Sequence, residues 1–185
     1  MRPKLFKREQ KSGNRTRNRK SPSTWRRLLR LETLEDRRLL ALVNWTGGGG
    51  DLLWSNPLNW STSQLPSIED DVVINAPGNV TIQYDLSSPQ IIKSLDLRDS
   101  LKLISGSLQV TGAMIASPGS TITAERSEFV VAHGVATLNG VNLVSSDGSV
   151  MVLPTTSLLL NDQGHMTWQV SGAGSILRFP NLTTI

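Results

Sequence analysis

The sequence predicts an all-β protein, a right-handed parallel β-helix (β-solenoid) that follows a basic N-terminal leader. Three near copies of one short unit carry this prediction, at Ser94–Leu97, Ser100–Leu103 and Ser107–Val110. Each unit alternates apolar and polar residues over four positions, which indicates a strand, and Gly, Ser and Asn between units indicate turns. Strands this short fit a coil of three strands and about twenty residues. A β-sandwich is the alternative fold, but its strands usually repeat every 8–12 residues or so.

The same unit recurs more loosely at Ser120–Thr123, Ser149–Val152 and Ser157–Leu160. Successive residues of a strand point to opposite faces, so the Leu, Val and Ile side chains should stack inward from coil to coil. The alternate residues should face water: Asp96, Lys102, Gln109 and Thr123. We expect residues 91–185 to form these repeats and to lack a C-terminal cap, because the chain stops after LRFPNLTTI without a polar closing segment. The chain would then be an incomplete member of a longer family.

The charge of the chain divides near residue 40. The 185 residues have a net charge of +4. Residues 1–40 carry 14 Lys/Arg and 4 Asp/Glu, net +10, whereas residues 41–185 carry 5 and 11, net −6. A basic leader is therefore joined to an acidic body. The absence of cysteine excludes a disulfide scaffold, a cysteine-based metal site and a thiol nucleophile.

We interpret residues 1–43 as an export or targeting leader. Residues 1–24 have few large apolar side chains and are predicted to be disordered. Apolar residues at spacings of three and four predict a short amphipathic helix over Trp25–Val43. The basic residues of the leader have four interpretations. They bind an anionic membrane surface, they bind nucleic-acid phosphates, they form the charged part of an export signal, or they are a solvated tail without a partner. Nucleic acid is disfavoured because the aromatic and basic residues are not interleaved. No segment reaches the roughly 18 apolar residues of a membrane span, so we predict no transmembrane helix.

One segment of the leader resembles a known targeting motif. Residues 31–41 read LETLEDRRLLA, which is similar to the LExLEDRxLL segment (the LEPR-XLL class) near the N-termini of large exported planctomycete proteins. The resemblance implies export or surface targeting through an export machinery, and it implies no enzymatic activity. The residues that match the motif are Leu31, Glu32, Leu34, Glu35, Asp36, Arg37, Leu39 and Leu40.

Residues 44–90 form a Trp/Gly-rich segment that we expect to be an N-terminal cap and a lead-in strand. Trp45, Trp54 and Trp60 are followed by Pro66 and by the run Asp70–Ile74. This pattern resembles the segment that precedes the first coil in many bacterial exported β-helix and adhesin-like proteins. The three Trp side chains then have two interpretations. They cover the apolar end of the solenoid, which is the favoured one, or they form a carbohydrate-binding platform on which sugar rings stack.

Few residues in the sequence suit catalysis or metal binding. The cluster Glu69–Asp71 contains three adjacent carboxylates, but adjacent residues of a strand cannot all converge on calcium, so we favour a turn. His133 and His165 each lie beside a glycine in a turn-like context and lack the second histidine of a metal-binding helix. We therefore predict no metal site and no cofactor.

Four further carboxylates carry the main enzymatic alternative. Asp96, Asp99, Glu125 and Glu128 are close enough in number to share one face of a solenoid. Paired carboxylates on such a face can cleave polysaccharides. Solvated charges are the favoured interpretation, because no catalytic constellation is recognisable. We therefore assign no catalytic residue and predict that the protein is not an enzyme.

Together these observations predict an exported or cell-surface protein with an extracellular, structural or adhesive role, or the N-terminal part of such a protein. Its partners would be the export machinery and a cell-envelope or extracellular polysaccharide. Two alternatives stay open. One is a carbohydrate-binding or polysaccharide-cleaving parallel β-helix, and the other is nucleic-acid binding by the basic leader.

Overall fold

The computed structural model describes residues 42–155, 158–159 and 166–184. The targeting motif, His165 and the predicted amphipathic helix up to residue 41 lie outside these ranges. Within them the protein is almost entirely β, with one 3₁₀ helix at Pro57–Asn59 and sixteen strands. The strands are β1 (Leu42–Asn44), β2 (Asp71–Ile74), β3 (Thr81–Tyr84), β4 (Gln90–Ile92), β5 (Ser94–Leu97), β6 (Ser100–Leu103), β7 (Ser107–Val110), β8 (Met114–Ala116), β9 (Thr121–Glu125), β10 (Glu128–Val131), β11 (Ala136–Asn139), β12 (Asn142–Ser146), β13 (Val150–Val152), β14 (Leu158–Leu159), β15 (Trp168–Ser171) and β16 (Ile176–Arg178).

The strands form three parallel sheets. Sheet I has the order β1-β2-β5-β8-β11-β14, sheet II has β3-β6-β9-β12-β15, and sheet III has β4-β7-β10-β13-β16. From β2 onward, each strand pairs with the third strand after it in the chain, so the chain winds as a coil. Asp71 pairs with Ser94, 23 residues later, and Ser107 pairs with Glu128, 21 residues later. The fold is a β-solenoid of about four turns from β2 to β14, which confirms the predicted fold class.

The three serine-led repeats coincide with β5, β6 and β7. Their apolar residues are buried; Leu95 is 1% exposed, and Leu101 and Leu108 are 0% exposed. Inward residues stack in register from coil to coil, so that Leu95 lies between Val72 and Met114. The residues predicted to face water are half-buried on the outward side: Asp96, Lys102, Gln109 and Thr123. The local alternation of the sequence therefore predicts the orientation of these side chains correctly.

Buried serine hydroxyls connect successive coils inside this apolar stack. Ser149 Oγ donates to the carbonyl oxygen of Ala124 at 2.8 Å, one coil earlier. Ser145 Oγ lies 2.8 Å from Ser149 Oγ and 3.0 Å from the carbonyl oxygen of Ile176, one coil later. Both serines are 0% exposed, and these bonds offset the cost of burying their hydroxyl groups.

Two predicted boundaries differ from the structure. Leu42 and Val43 belong to β1 rather than to a leader helix, because Val43 pairs with Val72 and is 1% exposed. The predicted division between residues 90 and 91 cuts through β4. The ladders run on across this point, since β2 pairs with β5 and β4 pairs with β7. The first coil and the later repeats are thus one continuous stack.

Candidate functional site

Residues 44–60 form a cap over the first coil of the solenoid. Trp60 pairs antiparallel with Trp45, and the N–H of Ser61 donates to the carbonyl oxygen of Asn44 at 2.9 Å, along the free side of β1, the first strand of sheet I. The N–H of Trp54 donates to the carbonyl oxygen of Gln83 at 2.9 Å, on sheet II. The cap therefore supplies hydrogen bonds to the first edges of two sheets, which are otherwise open for pairing.

The interior of the cap is a cluster of aromatic rings. Trp60 lies between Trp45 and Trp54 in edge-to-face contacts, with ring centroids 5.0 and 4.7 Å apart. Trp54 also contacts Tyr84 of the first coil at 5.5 Å. The indole N–H of Trp54 donates to Gln90 Oε1 at 2.6 Å, and that of Trp60 donates to the carbonyl oxygen of Trp54 at 3.0 Å. These contacts fix each ring and satisfy two indole donors.

The burial of these rings removes the platform that sugar stacking requires. Trp45, Trp54 and Trp60 are 4%, 0% and 1% exposed. A ring buried to this extent presents no face to a ligand, so the carbohydrate-binding role considered for these residues has no exposed surface here. The three side chains instead cover the apolar end of the core, which is the role of a solenoid cap.

A carboxylate organises the glycine-rich part of the cap. Asp51 accepts hydrogen bonds from Asn56 Nδ2 at 2.8 Å, the backbone N–H of Leu53 at 3.0 Å and Asn59 Nδ2 at 2.7 Å. These bonds hold the pKa of Asp51 below its ordinary value, with the Asn56 bond the largest cause. A Cβ added at Gly49 would lie 2.3 Å from Asn56 Nδ2, so this position excludes a side chain.

The structural roles of Asp51, Asn56 and Asn59 are not predicted by the sequence patterns above. The signal that was available is the concentration of Asn and Asp among glycines and Pro57, because Asx side chains bond to nearby backbone groups in turns. Asn59 is 0% exposed although it is polar. Its two donors and its acceptor are all used within the cap, by Asp51, Leu53 and Gly49.

The cluster Glu69–Asp71 divides between a turn and a strand. Asp70 accepts hydrogen bonds from the N–H and the hydroxyl of Ser67, at 2.7 and 2.8 Å, which closes a turn. Asp71 begins β2 and forms an ion pair with Lys93 at 2.8 Å. Hydrogen bonds from Lys93 and then from Ser94 lower the pKa of Asp71. Within the described ranges, no group of three potential ligands is arranged to hold a metal ion.

The four carboxylates of the enzymatic alternative do not act as one group. Asp96 lies on sheet I and pairs with Arg98, whereas Glu125 ends a strand of sheet II and pairs with Lys102, both at 2.8 Å. Glu128 lies on sheet III and accepts a hydrogen bond from Ser107 Oγ at 3.2 Å. Asp99 is 6% exposed and lies in the turn between β5 and β6. Each carboxylate has separate partners, and His133 is exposed in a turn.

A small polar groove lies at the corner between sheets I and II, and we call it the corner groove. Its volume is about 180 Å³. Asp99 stabilises its floor by accepting from the N–H of Ala76 at 2.6 Å and of Val80 at 3.4 Å. Arg98 stands at its rim, half-exposed, and the hydrogen bond to Asp96 raises the pKa of the guanidinium. The lining residues are Asn79, Val80, Arg98, Asp99, Ser100, Pro118, Gly119 and Ser120.

The size and chemistry of the corner groove limit what it can bind. Pockets that enclose a whole small molecule usually measure about 300–1,000 Å³, so this groove suits one unit of a longer ligand. Arg98 supplies several donors, and Asn79 and Ser100 add an amide and a hydroxyl. This set of groups can hydrogen-bond hydroxyl groups of a polymer that lies across the corner.

The fold and the cap define the class of this protein as a parallel β-solenoid whose first coil is closed by a Trp-rich cap. A scan against protein-family models finds no match, and neither the curated proteins nor the solved structures contain a match.

The phenol of Tyr84 supplies a direct test of the cap and first coil. Its hydroxyl donates to the carbonyl oxygen of Ser107 at 2.8 Å. Burial, with a smaller contribution from Asp85, raises the pKa of Tyr84 from 10.0 to about 12. Because the folded pKa exceeds the unfolded one, the associated stability is fully present below about pH 10 and is lost as the pH rises through about 12.

Tyr84 is the single tyrosine of the chain, so phenolate absorbance reports this residue alone. We expect the folded protein to titrate near the shifted pKa of Tyr84, about 12, and the urea-unfolded protein near its ordinary value of 10.0. Titration of the folded protein near the ordinary value would show that the phenol is accessible and would contradict the packing of Tyr84 against Trp54.

Proposed function

We propose that this protein is an exported β-solenoid with a structural or adhesive role at the cell surface, where it holds an extracellular or envelope polysaccharide. The observation that carries the proposal is a column of outward polar residues on sheet II. Gln83, Lys102 and Thr123 lie in register on three successive coils. Neighbouring strands are spaced at about 4.7–4.9 Å, so the column is a regular, rigid array of hydrogen-bonding groups.

The corner groove supports the same role. It adjoins sheet II, and its rim residue Arg98 precedes Ser100, the first residue of β6. A polymer that follows the column can therefore place one unit against the groove. Binding of this kind needs no catalytic group, in agreement with the separate partners of Asp96 and Glu125.

The leader supports the location. Its LETLEDRRLLA segment resembles the exported-protein motif, and its net charge of +10 differs in sign from the body. In the part of the chain that the structure describes, no helix is long and apolar enough to cross a membrane.

Cell fractionation tests the location. In a planctomycete host, the class to which the leader resemblance points, the tagged full chain should be recovered outside the cell or in the envelope. A variant without residues 1–41 keeps β1 intact and should stay in the cytoplasm. Cytoplasmic recovery of both forms would refute the export proposal.

A polysaccharide-binding assay tests the activity. Immobilised extracellular polysaccharides should retain the protein, and R98A should reduce retention at least about tenfold, the effect of losing roughly 1.4 kcal/mol. R126A is the matched control, because Arg126 is also an exposed arginine near an aspartate, Asp147 at 3.7 Å, but does not line the groove. Equal retention of both variants would exclude the groove, and absence of retention of the wild type would refute the adhesive role.

A further inference from the structure

The basic side chains beside the corner groove and along sheet II are neutralised by carboxylates. Arg98 Nη2 lies 2.8 Å from Asp96 Oδ2, and Lys102 Nζ lies 2.8 Å from Glu125 Oε1. Among the described residues, no other Lys or Arg lines the groove or stands in the column of outward polar residues on sheet II. An anionic ligand must therefore compete with a carboxylate that is already bound to each cation.

This competition gives an anionic ligand no net attraction. A ligand carboxylate that replaces Asp96 on Arg98 gains one ion pair and breaks another. It then faces the released carboxylate of Asp96 at close range, and like charges repel. The same exchange at Lys102 releases Glu125. Each exchange thus adds repulsion without adding an attraction.

The floor of the corner groove carries a carboxylate of its own. Asp99 is 6% exposed, and its oxygens accept from the backbone N–H groups of Ala76 and Val80, which stabilise the charge but do not cancel it. Within the described ranges, no Lys or Arg forms an ion pair with Asp99. Arg98 contributes one positive charge and Asp96 and Asp99 one negative charge each, so the groove and its rim are negative. Charges act more strongly in a cleft than in open water, so the groove repels anionic groups.

The neighbouring column on sheet II presents hydroxyl and amide groups. Thr81 pairs with Ser100, whose Oγ accepts from the backbone N–H of Thr121 at 3.0 Å. Thr121 in turn pairs with Asn142. These uncharged side chains are exposed or half-buried, and their groups both donate and accept hydrogen bonds. A sugar hydroxyl also does both, whereas an ionised carboxylate only accepts. The face therefore matches a ligand whose polar groups are hydroxyls.

We propose that the ligand of the corner groove and sheet II is a neutral polysaccharide, and not a polymer that carries carboxylate or sulfate groups. This inference rests on the proposed polysaccharide binding and specifies its substrate class. No unpaired cation takes part, so binding at the groove does not depend on salt. Binding of a polyanion by the basic leader, in contrast, weakens as salt rises.

Elution from a neutral resin tests the inference with the full chain. The protein is applied to immobilised dextran and to immobilised hydroxyethyl cellulose. It is eluted from whichever resin retains it with the same soluble polymer or with carboxymethyl dextran or carboxymethyl cellulose. The carboxymethyl polymer should require at least about tenfold higher concentration. Its binding to the basic leader does not vacate the groove, so elution reports the groove alone. Elution by the carboxymethyl polymer at an equal or lower concentration would overturn the inference.

Salt dependence supplies a second measurement on the same resins. Raising the salt from about 0.05 M to about 0.5 M shortens the Debye length about threefold. Retention on the neutral resin should change by less than about twofold. A loss of more than about tenfold would show that charge attraction holds the ligand and would contradict the inference.

The variant D96N tests the charge argument directly, because it frees Arg98 from its carboxylate. The concentration of carboxymethyl polymer needed for elution, relative to the neutral polymer, should fall about two- to fivefold, the effect of one exposed charge interaction. D147N is the matched control. Asp147 also lies near an exposed arginine, Arg126, at 3.7 Å, but outside the groove, so the ratio should stay unchanged. Equal changes in both variants would refute the exclusion of anions by the Arg98–Asp96 pair.

The carboxymethyl polymers, when immobilised, separate this inference from the proposed function. Suppose that only these resins retain the protein and that R98A lowers the retention more than R126A does. The groove then binds an anionic polymer, so polysaccharide binding stands and the inference is wrong. If no resin of either kind retains the wild type, the adhesive role itself is refuted, and the inference falls with it.

Discussion

Replacing Trp54 with alanine should lower the free energy of unfolding by about 3–5 kcal/mol, the usual cost of removing a large buried aromatic side chain. The side chain is 0% exposed. It contacts Trp60 at 4.7 Å and Tyr84 at 5.5 Å, which joins the cap to the first coil. The substitution also removes the indole donor to Gln90 and leaves a cavity between these groups.

Urea unfolding monitored by circular dichroism measures this loss. L58A is the control, because Leu58 belongs to the same cap but is 61% exposed; its effect should stay within about 0.5 kcal/mol. W54F should fall between the two, since it keeps an aromatic ring but not the bond to Gln90. Equal urea midpoints for W54A and L58A would show that the cap does not contribute to the stability of the solenoid.

Replacing Gly106 with alanine should lower the free energy of unfolding by about 3 kcal/mol or more. A loss of this size is expected where the native backbone cannot accept the new residue. Gly106 has φ +70°, a conformation that disfavours a side chain, and a Cβ there would lie 2.1 Å from the carbonyl oxygen of Leu86. Leu86 belongs to the preceding coil, and the carbonyl oxygen of Gly106 accepts from the backbone N–H of Glu128, in the next coil, at 2.9 Å. The backbone cannot shift without loosening the contact on the other side.

Gly78 supplies a control that separates the two causes. Its φ is +85°, but no atom lies within 4 Å of an added Cβ. G78A should therefore lower the free energy of unfolding only by the conformational strain of the left-handed backbone, about 1–2 kcal/mol. Thermal and urea unfolding of the two variants compares strain alone with strain plus steric overlap. Equal losses of stability in G106A and G78A would show that Gly106 does not lie as close to the carbonyl of Leu86 as the structure indicates.

The strands of the repeats could be predicted because the information is local. In β5, β6 and β7, alternation of apolar and polar residues over four positions selects both the extended conformation and the buried face. The spacing of these units indicates the coil, because three short strands at intervals of six and seven residues make one turn of about twenty residues. For this reason Lys102 and Asp96 could be assigned to the outward side before any tertiary contact was known.

The beginning of the solenoid could not be predicted in the same way. Leu42 and Val43 fit the apolar spacing of a helix as well as that of a short strand, since a strand of three residues carries little periodic signal. Pairing with Asp71 and Val72, about thirty residues further along the chain, decides the conformation. The hydrogen bonds of Asp51 and Asn59 within the cap likewise depend on a chain path that no local pattern specifies.

By itself, the sequence determined the β-solenoid class, the inward and outward residues of the clear repeats and the division into a basic leader and an acidic body. These follow from alternation, repeat spacing and charge, which need no knowledge of distant contacts. Only the tertiary structure decided that Trp54 and Trp60 are buried rather than open to a sugar. Burial depends on what the next coil or the cap places above a residue, and residues far away in the chain supply that cover.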